Sequence, residues 1–101
     1  MYNITYSNQA ELDLEDAISY IANESVPNAL KYLQDYEEKI EILRLNPLLG
    51  VSCKSKLIKR ACRVLIHQSH IIIYQLNEND ENIFLIRIYH GSVDYANKFN
   101  E

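Results

Sequence analysis

From Met1 to Tyr6 the chain reads MYNITY, with Tyr2, Ile4 and Tyr6 alternating against Asn3 and Thr5. A two-residue period belongs to a strand with one buried face, so a strand opens the chain. The period then changes. Ala10, Leu14, Ala17, Ile18 and Ile21 recur at helical spacing while Glu11, Glu15 and Asp16 project elsewhere, which predicts an amphipathic helix over about 9–23. Ser7 and Asn8 offer capping oxygens, and Glu11 stands three residues after Asn8, as a capping box requires. NESVPN breaks the pattern, and Pro27 suits the first turn of a second helix, where its missing N–H costs nothing. Val26, Ala29, Leu33, Tyr36, Ile40 and Leu43 form the second apolar stripe, with Asp35 four residues before Lys39 for a surface pair. The stripe stops at Asn46-Pro47, and Gly50 releases the chain into a loop. Two helices joined by so few residues are antiparallel neighbours.

The second half reads as sheet. ACRVLIHQSHIIIYQL holds two β-rich runs around Gln68-Ser69, and NENDEN separates the second from IFLIRIYH. Strands over about 61–67, 70–76 and 83–90 then form an antiparallel meander. Ile72, Tyr74 and Leu76 alternate with Ile71 and Ile73, and Phe84, Ile86 and Ile88 alternate with Ile83 and Leu85, so both faces are apolar. One helical hairpin covers one face, and the other needs further cover. The expected architecture is a single α+β domain over 1–101, an antiparallel sheet of about four strands with an α-helical hairpin packed on one face. The pattern leaves open which neighbour the first strand takes.

No run approaches the ~18 apolar residues of a membrane span, and the N-terminus has neither a basic start with an apolar block nor a small-residue cleavage site. A cytoplasmic protein without a membrane role is expected. Cys53 and Cys62 lie outside any CxxC or zinc spacing, and in a cytosolic chain Cys62 is expected as a small buried hydrophobe, with a disulfide the weaker alternative. The formal charge is -4, which argues against a generic polyanion binder. Its distribution matters more than its sum: KSKLIKRACR, residues 54–63, holds half of the Lys and Arg, while the acids of the helical half all precede it.

The chemistry-bearing residues gather late in the chain. RIYHG, residues 87–91, ends the last strand with a cation, a phenol and an imidazole. Arg87 among isoleucines has a plain role available, bridging to an acid such as Asp94. His67 and His70 flank the Gln68-Ser69 turn and face each other across a hairpin, but lack a third ligand, so no metal is expected. Tyr74 is expected in the core with its hydroxyl at the rim. No cofactor motif is present, and none is expected.

YSNQAELDLEDAISYI after the first strand, LRLNPLLG at the end of the second helix, CRVLIHQSHIIIYQL and IRIYHGSVDY together resemble the RelE/ParE superfamily of type II toxin-antitoxin toxins over nearly the whole chain. The Leu-x-x-x-Pro-x-x-Gly segment and the His-Gly ending look more like the ParE branch. That resemblance implies a toxin, of the kind associated with plasmid stabilization, that inhibits DNA gyrase by binding it. It also implies neutralisation by a cognate antitoxin, with contact to DNA only through that antitoxin. The alternatives are a RelE-like endoribonuclease acting on messenger RNA in the ribosome, and a non-toxic interaction module keeping the fold. A ribonuclease needs a proton acceptor, a donor and charge neutralisation at the scissile phosphate. Cations expected early in the middle meander strand and just beyond the last strand are replaced by Ile71 and by Gly91-Ser92-Val93. A catalytic set, if present, would be Arg63, Arg87 and His90; the binding reading, which makes the protein no enzyme, uses Lys56, Arg60, Arg63, Arg87, Tyr89, His90 and Tyr95.

Overall fold

Ser7 ends one element and starts the next with a single hydroxyl, which accepts from the Ala10 N–H at 2.9 Å as helix cap and donates to the Ile86 carbonyl at 2.6 Å. That one side chain sets the first helix against the last strand. The computed structural model describes residues 1–53, 61–91, 94, 95 and 99. In chain order the elements are β1 (Asn3–Tyr6), α1 (Asn8–Glu24), α2 (Val26–Leu45), β2 (Val51–Ser52), β3 (Arg63–His67), β4 (His70–Asn77) and β5 (Asn82–His90). The cap is Ser7 without the Asn8–Glu11 box, and Ser25 caps α2 in the same way, with Pro27 in its first turn.

The strands form one sheet of order β1-β5-β4-β3-β2. The meander is antiparallel, and β1 joins it parallel to β5, with Asn3 opposite Asn82 and Tyr6 opposite Leu85. The fifth strand is the two-residue β2 on the far edge, where Val51 meets Val64 and Ser52 meets Arg63. Two residues are too few to show a period, which is why the sequence pattern yields four strands.

The helical hairpin covers one face. Tyr32, Tyr36, Ile40 and Leu43 of α2 and Ala10 of α1 pack with Leu65, Ile72, Tyr74, Ile83, Leu85 and Ile88. Tyr32, absent from the predicted stripe, is buried, whereas Val26 at the stripe's start is exposed. Asp35 pairs with Lys31 at 3.0 Å, one turn before it, in place of Lys39. Strict alternation along β5 fails as well. A bulge leaves Tyr74 opposite Leu85 and Ile73 opposite Arg87, with Ile86 as the extra residue. Ile86 therefore packs on the second face while Ile88 packs under the helices.

The second face is not left bare. Cys62, Val64, Ile73, Ile86 and Tyr89 pack there with Phe99, and Cys53, Ile71 and Tyr95 flank them. Cys53 and Cys62 are joined in a disulfide, correcting the expectation of free thiols. The reason is register. Beyond the Ser52–Arg63 pair the next two opposed residues are Cys53 and Cys62, whose backbones bond through the Cys53 N–H and Cys62 carbonyl at 3.0 Å, with Cα atoms 5.4 Å apart. Tyr74 lies in the core as expected, but its hydroxyl is not at an open rim. It is fully buried, and its hydroxyl accepts from the Gly50 N–H and donates to the Pro47 carbonyl, each at 2.9 Å.

Candidate functional site

Past Leu85, β1 no longer accompanies β5, and the exposed strand edge would be left with an unpaired donor. α1 supplies the partner. Asp13 Oδ2 accepts from the Ile88 N–H at 2.9 Å and from Arg87 Nε at 2.9 Å, while Oδ1 accepts from the second Arg87 nitrogen at 3.2 Å. Burial alone would push the Asp13 carboxyl up; the hydrogen bonds from Arg87, Ile88 and Gln9, with the Arg87 charge, outweigh it and hold Asp13 below the usual carboxylate range. The same pairing raises Arg87 further above its ordinary value. Arg87 does bridge to an acid, as expected, and the acid is Asp13, remote in sequence, where proximity had suggested one such as Asp94. The guanidinium also lies 4.5 Å from the centre of the Tyr89 ring.

Arg63 is occupied differently. Its Nε and one terminal nitrogen donate to the Gly50 carbonyl at 3.0 and 2.6 Å, and that nitrogen reaches Leu48 O at 3.3 Å. Arg63 shares the helix-side face with Leu65 by strand alternation, whereas Arg87 and Tyr89 belong to the second face. The structure therefore brings together Arg87, Tyr89 and, nearby, Tyr95, and separates Arg63 from them. Lys56 and Arg60 lie outside the described residues.

His90 turns to a third place. It sits opposite His70, with ring centres 5.5 Å apart. His70 Nδ1 meets the Tyr32 hydroxyl at 2.9 Å, and His67 packs edge-on to Tyr32 and Tyr36 at 5.3 and 5.9 Å. Tyr36 in turn shares a 2.8 Å hydrogen bond with Tyr6. Desolvation pushes the Tyr32 phenol up to about 12 and that of Tyr36 higher still, so both stay protonated through the physiological range. Burial lowers His67 and His70, keeping them neutral. His67 and His70 do face each other across the turn, as the spacing predicts. Among the described residues no group of three or more His, Cys, Asp and Glu is arranged to hold a metal ion.

Between α1 and this end of the sheet lies a cleft of about 470 Å³ lined by Asp13, Asp16, Ala17, Tyr20, Ile21, Ser69, His70, Ile88 and His90. Sequence reasoning named only His90 for a functional role among them. Asp16 and Tyr20 are four residues apart on the acidic helix, and that spacing beside a strand ending in histidine was the available signal.

The family model described as the ParE toxin of the type II toxin-antitoxin system, parDE, matches residues 4–95. No curated protein matches the sequence. Among solved structures, a chain of the chromosomal ParDE system of P. aeruginosa superimposes with a TM-score of 0.70 at 20% identity, covering 89% of this chain and 96% of that one. A chain of the toxin-antitoxin complex RelBE2 of Mycobacterium tuberculosis gives a TM-score of 0.60 at 16% identity, with 88% and 96% covered.

Proposed function

Because the chain belongs to the ParE toxin family of type II toxin-antitoxin systems, we propose that it acts by binding a protein target, DNA gyrase, without catalysing a reaction, and that a cognate antitoxin neutralises it. The observation that carries this is the dispersal of the three candidate catalytic groups, Arg63, Arg87 and His90. Arg87 is committed to Asp13, Arg63 to the carbonyls of Gly50 and Leu48, and His90 faces the cleft beside His70. A phosphoryl-transfer site needs these groups aimed at one phosphate, and here they point to three places. The likeness to RelBE2 reports fold and leaves that dispersal unchanged.

The binding face is the side of the sheet that carries Arg87 stacked on Tyr89, with Tyr95 beside the apolar cluster. The basic run between Cys53 and Cys62, with Lys56 and Arg60, is assigned to the same binding role from the sequence alone. Cytoplasmic location and a contribution to plasmid maintenance go with this reading.

Growth arrest on induction, a supercoiling assay with purified gyrase and a translating-ribosome cleavage assay test it together. Arrest with supercoiling inhibition and intact messenger RNA is expected. In a binding interface most single truncations cost little and a few anchors carry the loss, so activity should decline stepwise across Arg87→Ala, Tyr89→Ala and Tyr95→Ala. Codon-positioned cuts that vanish in His90→Ala would overturn the proposal in favour of ribonuclease activity.

A further inference from the structure

Helix α1 carries five acids, Glu11, Asp13, Glu15, Asp16 and Glu24, and no lysine or arginine. Its inner side bounds the cleft beside the β3–β4 turn. The floor there is apolar, made by Ala17, Ile21 and Ile88. Of the two acids at the wall, Asp13 is fully engaged: its oxygens accept from Arg87 twice, from Ile88 and from Gln9, filling the roughly four lone-pair positions of a carboxylate. Asp16 is exposed and has no hydrogen bond or ion pair among the described residues. One turn further on, Tyr20 is 69% exposed. A bare carboxylate and an exposed aromatic ring at the mouth of an apolar cleft form a surface the fold itself does not use.

We propose that this cleft is a socket for an arginine side chain on a basic segment of a partner protein, its stem lying on Ala17, Ile21 and Ile88 and its guanidinium held by Asp16 against the Tyr20 ring. Charge fixes the sign of the occupant. An acidic side chain would meet an unneutralised Asp16 on a helix with no base of its own, and an apolar one would desolvate that carboxylate without a partner. Asp16 is exposed while Ala17 and Ile88 are buried, so the carboxylate stands outward of the apolar contacts, the order in which an arginine presents its head and its stem. His70 forms part of the opposite wall, and its neutral state at pH 7 leaves the socket open to a cation.

The proposal rests on the reading of the chain as a toxin held by a protein partner, and the test separates the two. The full chain, isotopically labelled, is titrated with N-acetyl-arginine amide and, in parallel, with the uncharged N-acetyl-citrulline amide. Saturable amide shifts at Ala17, Tyr20, Ile21, Ser69 and His70 with the arginine probe alone are expected. They should weaken at least fivefold in Asp16→Asn. Equal shifts with both probes, or shifts spread along the acids of α2, would overturn the socket. In cells, an antitoxin encoded beside the gene should neutralise Asp16→Asn and Tyr20→Ala toxins less well than the parent. Equal neutralisation overturns the socket and leaves the toxin reading standing. If the parent chain arrests no growth, the toxin reading fails and the probe titration alone decides the socket.

Discussion

At Gly50 the chain has no room for a side chain: a Cβ would lie 2.7 Å from the Val64 carbonyl oxygen and 2.8 Å from both the ring edge and the hydroxyl of Tyr74. Three residues meet in that spot, since Gly50 donates to Tyr74 and accepts from Arg63. Gly50→Ala must therefore push apart the loop, β3 and β4, and a loss of about 2 kcal/mol is expected from overpacking. Tyr74→Phe keeps the volume but orphans the Gly50 N–H and the Pro47 carbonyl, for a loss of about 1–3 kcal/mol. Denaturant titration of the two variants checks both figures; an unchanged midpoint for either would mean that the loop is held by Arg63 alone. The sequence showed Gly50 as a helix-releasing glycine and Tyr74 as a core residue. It did not show that one is the socket of the other, because a hydrogen bond across 24 positions leaves no local period.

Between elements, legibility followed length. The helices and the three long strands repeat their periods often enough to be read, and even their ends fall within one or two residues of expectation. The parallel seat of β1 against β5, the two-residue β2 and the bulge at Ile86 do not repeat, and each changes what the site looks like. The bulge puts Ile86 and Ile88 on opposite faces, and β2 places the two cysteines in register. That register makes the disulfide an element-scale fastener, closing a loop across a sequence separation of 9. A loop of this size corresponds to about 2.5 kcal/mol of chain entropy removed from the unfolded state. Reduction, or the paired Cys53→Ser and Cys62→Ser change, should lower the unfolding free energy by about that amount while the meander stays folded. Loss of the β-sheet signal on reduction at 25 °C would show that β2 and the disulfide hold far more of the sheet than an edge strand should.

All three histidines of the chain meet at one end of the molecule, where α2, the β3–β4 turn and the end of β5 converge. Burial lowers His67, helped by Lys39 and opposed by Asp35; burial likewise lowers His70, helped by His90 and His67. Tyr32 and Tyr36 face them from α2, Tyr6 stands behind Tyr36, and Asp13 and Asp16 of α1 border the cleft beside His70. Both imidazoles hold their protons more weakly when folded than the 6.5 of an unfolded chain. Above that value neither state is charged and the full stability is present. As pH falls through 6.5 toward the lowered folded values, the unfolded chain gains protons that the native one refuses, so stability declines in that window. Asp13 does not contribute there, because its lowered carboxyl stabilises the fold until the solution is far more acidic. His67 offers the cleanest probe, since its Nε2 is buried with no hydrogen-bond partner among the described residues. His67→Phe keeps the edge contacts with Tyr32 and Tyr36 and removes an unsatisfied nitrogen, so its unfolding free energy at pH 7.5 should equal or exceed that of the parent by up to about 1 kcal/mol. Between pH 7.5 and 5.5 the parent should lose stability and His67→Phe should lose less, read from denaturant midpoints at constant ionic strength. A parent profile flat across that range would mean that the three-histidine end opens to water and charges freely in the folded state.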